Sequence, residues 1–213
     1  MKGPKHTLCR RVGQCLWGMP NCPTNSRAIK TREGGESTSS PKAYPAGQHG
    51  PTKRRGKLST YGELLLEKQK LRRFYNLTEH QLRFIYEKSK QGSGITGEKL
   101  LRNLELRLVT AVYRGGLAST IFAARQAVSH RHILVDGQVV DRASYRLKAG
   151  QVLSISAERS PMLASIAKGI DALTPSYLQK EAEECKVTVL HEPLPEEIQT
   201  GVTISKVVEY YAR

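Results

Sequence analysis

The pair Asp136-Gly137 stands between two short alternating runs, residues 132–135 and 138–141. Asp-Gly between apolar runs is the strongest short-range hairpin signal, because a two-residue type I′ turn needs φ > 0 at both central positions and these two residue types tolerate it. Upstream of the hairpin the apolar spacing changes from two to three or four. Residues 120–131 predict a helix with Ala124, Ala127 and Val128 inside. Residues 97–114 predict a longer one, capped by Thr96, with Leu100, Leu101, Leu104, Leu108 and Val112 as its core stripe. Arg107 and Arg114, seven residues apart, share another face of that helix, and Gly115-Gly116 ends it. After the hairpin, a turn at Lys148-Ala149-Gly150 leads into a strand over 151–157. Helices feeding a small antiparallel sheet make the fold class α+β.

The flanks follow the same reading. Residues 62–76 predict a helix carrying Leu64, Leu65, Leu71, Phe74 and Tyr75, and a second begins at Thr78, whose partner Gln81 three residues on completes a capping box. That helix ends at Gly92. A helix at 162–172, a strand at 186–190 and a final helix at 204–211 complete the set. Residues 1–57 are rich in Gly, Pro, Ser, Thr, Lys and Arg without apolar periodicity, and predict a basic extended arm with a mobile insertion at 31–40. No run of about 18 apolar residues predicts a membrane span, and the N-terminus lacks the apolar centre of a secretory signal. Four scattered cysteines in 213 residues predict a reducing, cytoplasmic setting, not a disulfide scaffold.

The chain carries a net charge of +15, unevenly spread: residues 1–60 hold +10, 61–100 hold +3, 101–160 hold +5 and 161–213 hold −3. Such a surplus repels itself in a compact body unless a polyanion screens it, which points first to nucleic acid and second to an anionic membrane. The densest stretch is Lys53-Arg54-Arg55-Gly56-Lys57, followed by Tyr61 and by Lys68, Lys70, Arg72 and Arg73 beside Phe74 and Tyr75. Arginine forks and lysine point charges suit phosphates, and interleaved aromatics suit unpaired bases, so the pattern favours a folded RNA. The expected contacts are Arg54, Arg55, Lys57, Lys68, Lys70, Arg72, Arg73, Arg107, Arg114 and Arg125, with Tyr61 and His130 as secondary contacts.

Other chemistry is poorly supported. The literal G-x-G-x-x-G at 92–97 follows a helix instead of a strand and has no acid about twenty residues on, so it reads as an interhelical linker. No nucleophile–base constellation is visible, so no catalytic residue and no enzyme is predicted. Cys9, Cys15 and Cys22, with nearby His6, number enough to ligate zinc, but five and six residues separate the cysteines, where structural zinc loops present pairs two to four apart. The spacing predicts reduced thiols and no metal or other cofactor.

Several segments together resemble the small-ribosomal-subunit protein family "S four": Tyr44-Pro-Ala-Gly-Gln-His-Gly50, Ser59-Thr-Tyr61-Gly62, Glu67-Lys-Gln-Lys-Leu-Arg-Arg73, Leu104-Glu-Leu-Arg107-Leu108, Val112-Tyr-Arg114 and Val207-Val-Glu-Tyr-Tyr211-Ala-Arg213. The stretch 117–155 resembles the small RNA-binding domain of that family. The resemblance implies a primary binder of 16S ribosomal RNA that clasps a multi-helix junction of the 5′ domain and nucleates subunit assembly. It also implies a place near where mRNA enters, beside a neighbouring ribosomal protein with which it influences decoding accuracy. It implies no membrane and no small-molecule substrate. The implied domains are the arm 1–57, a helical domain of 58–96 with about 172–213, and an inserted RNA-binding domain 97–171 with its core at 105–157. An RNA-modifying enzyme of the pseudouridine-synthase kind, or an extra-ribosomal stress protein, can carry the same small domain; the enzyme needs a catalytic domain with a positioned Asp, which the 53 residues after position 160 do not show, and the stress protein would not need the long basic N-terminal arm.

The chain departs from the family in places. Zinc-bearing members show two cysteine pairs, of which only Cys9 falls in place here. Thr120-Ile121 stand where Ser-Arg opens the helix, Arg131 replaces a usual Gly, Asp136 a usual Asn and Gln151 a usual Asp. These changes predict a hairpin that forms but holds RNA less firmly.

Overall fold

The computed structural model describes residues 6–17, 22, 24, 44–52, 58–156, 159–170, 174–181 and 183–213. The expected insertion at 31–40 lies outside them. The helices are α1 (Thr7–Val12), α2 (Thr60–Phe74), α3 (Glu79–Lys90), α4 (Thr96–Glu105), α5 (Leu108–Arg114), α6 (Ile121–Ser129), α7 (Pro161–Lys168) and α8 (Ile204–Ala212), with a 3-10 turn at Pro195–Glu197. The strands are β1 (Ile133–Val135), β2 (Gln138–Val139), β3 (Val152–Ile155), β4 (Leu178–Glu181) and β5 (Lys186–Val189). Packing groups them into two compact units, Met1–Phe74 with Val202–Arg213, and Tyr75–Gly201. No helix among the described residues is long and apolar enough to cross a membrane.

In the first unit the C-terminal segment returns to the N-terminal helices, and α8 packs along α2. The fully buried Val207 anchors it. Polar contacts fix its register: the Thr203 N–H donates to Glu67 at 3.0 Å, and Lys206 Nζ to Glu63 at 3.0 Å.

The second unit holds α3 to α7 and an antiparallel sheet of order β2-β1-β3-β5-β4. The register pairs Leu134 with Val139, Leu134 with Ser154, Leu153 with Val187 and Lys180 with Val187. Ile133, Val135, Leu153, Ile155, Val187 and Val189 are buried, the alternation a one-faced sheet needs. The α3 capping box forms as its sequence predicts: Thr78 accepts from the Gln81 N–H, and Gln81 accepts from the Thr78 N–H. This helix packs on α4, where Asn103 donates to Ser89 at 2.8 Å.

Two expectations need correction. The helix predicted over 97–114 is two helices, and Thr96 begins α4 without capping it, the N-cap being Ile95. Leu106 and Arg107 leave helical geometry and pair with the chain near Arg146: Leu108 N–H donates to Tyr145 O and Leu147 N–H to Leu106 O, both at 2.8 Å. Two bonds across the fold replace local helical bonds, while the leucine stripe stays buried on both sides of the break. Strand β4, which the sequence reading lacked, covers β5 with an alternation too weak to show: only Leu178 of its four residues is buried.

At the join of α4 and α5 lies a buried carboxylate. Glu105 is 1% exposed and accepts from Tyr75 Oη at 2.7 Å, Tyr177 Oη at 2.8 Å and Arg114 Nη2 at 3.1 Å. Burial, reinforced by the Glu105 charge and hydrogen bonds, pushes both tyrosine hydroxyls well above their ordinary range, so they stay donors. Burial works against the charge of Arg114, but Glu105 outweighs it and holds the guanidinium above its ordinary value.

Candidate nucleic-acid interface

The residues expected to meet RNA divide by what the fold does with them. Arg54, Arg55 and Lys57 lie outside the described residues. Along α2, Lys68 is 4% exposed, its ammonium 4.5 Å from the centre of the Tyr210 ring. Tyr61 is exposed and lies 5.9 Å from the same ring, and its hydrogen bond with Tyr210 raises its phenol above the ordinary value. Lys70 pairs with Glu67, one helical turn away. These three residues help hold α8. Arg72 and Arg73, half-buried at the end of α2, sit close together: burial and then the Arg72 charge lower the Arg73 guanidinium, which stays protonated at neutral pH.

In the second unit, the break between α4 and α5 decides the geometry. Arg107 and Arg114 do not share a helix face. Arg114 turns to Glu105 and to Gln199 O, at 3.2 Å. Arg107, 9% exposed, faces Arg125 of α6, and burial followed by that neighbouring charge lowers its guanidinium. Arg125 Nη1 donates to Asn76 O at 3.3 Å.

Arg146, which sequence reasoning missed, is the bridge partner of Arg107. The bonds flanking that bridge make it the narrow, non-hydrogen-bonded kind, which sets the two side chains side by side. No amphipathic pattern announces Arg146, because the bridge is one residue long. Among the described residues no carboxylate pairs with Arg107, Arg125 or Arg146, whereas Arg114, Arg102 and Arg131 each have one. Arg107 is thus flanked by two further arginines, Arg146 across the bridge and Arg125 from α6.

His130 is exposed at the end of α6, its ring 5.9 Å from that of His132, whose Nδ1 hydrogen-bonds Ser160 Oγ at 2.6 Å. Thr120 caps α6 through the Ala123 N–H, and Ile121, where the family resemblance implies an arginine, is 3% exposed in the core. That charge is therefore absent from the opening of α6.

The N-terminal cysteines do not behave as their spacing suggests. Helix α1 ends at Gly13 in the left-handed region (φ 84°), a conformation glycine tolerates. Donor atoms of His6, Cys9 and Cys22 lie within 4.8 Å of one another, and both cysteines are fully buried. Burial, strengthened by the neighbouring thiols, pushes Cys9 up to about 12. Burial acts the same way on Cys22, but hydrogen bonds with Thr24, Cys15 and Cys9 outweigh it and lower that thiol. The paired spacing sought between cysteines exists instead between His6 and Cys9, three residues apart on one helical turn.

Residues 1–105 match the family model "Ribosomal protein S4/S9 N-terminal domain", and residues 106–153 match "S4 domain". The second match begins at the α4–α5 break. The small ribosomal subunit protein uS4 of Thermobifida fusca is 39% identical over 215 aligned residues, covering 99% of this chain and 98% of the relative. That of Bifidobacterium adolescentis is 46% identical over 176, covering 80% and 84%. That of Ruegeria pomeroyi is 38% identical over 215, covering 98% and 96%. A likeness of this depth along nearly the whole length places the chain in the uS4 family of small ribosomal subunit proteins.

Proposed function

We propose that this protein is a structural constituent of the small ribosomal subunit that binds 16S ribosomal RNA early and nucleates assembly around a multi-helix junction of the 5′ domain. The observation that carries the reading is the group Arg107, Arg125 and Arg146, positioned by a helix break, a helix and a bridge, with no carboxylate partner among the described residues. Arg72 and Arg73 supply a second cationic pair in the other unit. Each guanidinium that meets a phosphate releases condensed counterions, so affinity is electrostatic and falls with salt. Its planar fork also fixes orientation on the backbone, which suits the shape of a folded junction more than a base sequence. Arg54, Arg55 and Lys57 add further positive charge for the same RNA. Lys68, Lys70 and Arg114 serve it indirectly, by holding helices in place.

The protein works in the cytoplasm within the ribosome, and contact with a neighbouring ribosomal protein links it to decoding accuracy. Filter binding of 16S rRNA across a salt series tests this arginine group. Arg125→Ala with Arg146→Ala should lower the slope of log affinity against log salt by about 1.5 to 2, with unchanged circular dichroism. A wild-type slope and affinity in the folded double variant would reject the assignment.

A further inference from the structure

In the first unit, α1, the loop 44–50 and α2 enclose an open groove of about 1210 Å³. Its floor is apolar: Leu8 and Val12, one turn apart on α1, line it with Leu65 and Leu66 of α2, and all four are only half-buried. Polar and cationic groups complete the lining. Arg11 and Arg73 stand there with Gln48, His49 and Gln69, and among the described residues no Asp or Glu lines the groove. The loop wall is preorganised. Arg10 donates from Nε to Tyr44 O at 3.1 Å and from Nη2 to Pro45 O at 3.3 Å, with its guanidinium 5.1 Å from the centre of the Tyr44 ring. The Gly50 N–H donates to Gly47 O at 3.0 Å, and a Cβ at Gly50 would overlap Pro45 O, so the turn closes too tightly for any side chain.

We propose that this groove takes one unpaired nucleotide of the ribosomal RNA, its base on the apolar floor and its phosphate at the Arg11 and Arg73 guanidinium groups. The inference rests on the RNA-binding reading above and deepens it. Half-exposed leucines call for an apolar ligand face, and two guanidinium groups with no acid beside them in the lining call for an anion. A nucleotide splayed out of its helix offers both, since its base has lost its stacking partners while its phosphate stays charged. A duplex offers only the charge, because its bases cover one another. Gln48 and Gln69 each carry an amide with donor and acceptor, the complement of a base edge. The backbone of Arg73 is held in place, its carbonyl accepting from Trp17 Nε1 at 3.0 Å, which fixes where that side chain meets the groove.

The test uses full-length protein and a transcript of the 16S 5′ domain, with filter binding across salt and probing of unpaired bases by dimethyl sulfate and a carbodiimide. The wild-type protein should protect at least one unpaired base that Leu66→Glu leaves reactive, and that variant should bind at least about tenfold more weakly. Gln69→Ala should bind about 3- to 10-fold more weakly at an unchanged salt slope, because it removes a neutral edge contact. Arg11→Ala should instead lower the slope by about 0.7, one phosphate on a single strand. Circular dichroism identifies a variant that fails to fold; should Leu66→Glu do so, Gln69→Ala and Arg11→Ala decide. Wild-type affinity, slope and base protection in the folded variants would overturn the nucleotide and leave the groove to an acidic peptide segment of a protein partner. That outcome leaves the RNA-binding reading standing, since the transcript still binds. Failure of the wild-type protein to bind the transcript overturns both.

Discussion

Two substitutions relative to the family, Asp136 and Gln151, compensate one another. Asp136 (φ 50°) and Gly137 (φ 79°) form the predicted turn, and Asp136 accepts from the Val152 N–H at 2.9 Å and from Gln151 Nε2 at 2.8 Å. Gln151 Oε1 also accepts from the Lys148 N–H at 3.0 Å. With the Asn and Asp that the family resemblance implies at these places, donor and acceptor would be reversed, so the hairpin is retained by exchanging polarity across the pair. The sequence predicts that the hairpin survives these changes, and the pair of contacts gives the reason. Gln151→Asp should set two carboxylates face to face and cost about 1 to 2 kcal/mol, and adding Asp136→Asn should recover most of it. A double-mutant cycle by urea unfolding measures the coupling, and additive effects would refute the pairing. Arg131 replaces a usual Gly at φ 64°, where a side chain is strained; its exposed pair with Asp141 at 3.2 Å offsets little of that.

Among the elements, those with strong local signals formed where their sequences place them. The capping box at Thr78, the threonine cap of α6 and the Asp-Gly turn are all present, because each is satisfied by neighbours within a few residues. The single predicted helix over 97–114 failed because its break is stabilised from residues 145–147, and nothing local reports that. The break has consequences for the site: it turns Arg107 toward Arg125 and leaves Arg114 to Glu105. The end of α5 also shows how tightly elements meet. A Cβ built on Gly115 would lie 2.8 Å from both Val187 methyl groups and 2.9 Å from Ala111 O. Gly115→Ala should therefore destabilise the second unit by about 1 to 3 kcal/mol, read as a lower thermal midpoint. A neutral or stabilising outcome would mean that β5 gives way freely.

For the whole molecule, the chain crosses from the first unit to the second at Tyr75 and returns at Val202. The acidic balance of the last quarter lies before that return, whose own segment carries Lys206 and Arg213 against Glu209. Glu181, Glu184, Glu192 and Glu197 lie in the second unit, and the closing helix uses Val207, Lys206 and Tyr210 to cover α2. Removing residues 204–213 should strip α2 of its cover, and the loss of Val207 burial alone costs about 2 kcal/mol. Limited proteolysis should then cut the first unit faster while the second keeps its wild-type pattern. Equal resistance in both would count against α8 as the closing element of the first unit.

The sequence by itself determined the α+β class, the position of most helices, the hairpin turn and the preference for a polyanion, since periodicity, caps and net charge are short-range or additive properties. Only the tertiary structure decided which cations remain available. Lys68 lies against an aromatic ring and Arg114 against a buried carboxylate, while Arg107 has Arg125 and Arg146 as neighbours, and no acid pairs with any of the three among the described residues. It also gathered His6, Cys9 and Cys22 from a spacing that argued against a site. Charge can be counted along a chain, but pairing depends on which distant residues the fold brings within a few ångströms, and spacing along the chain does not encode that.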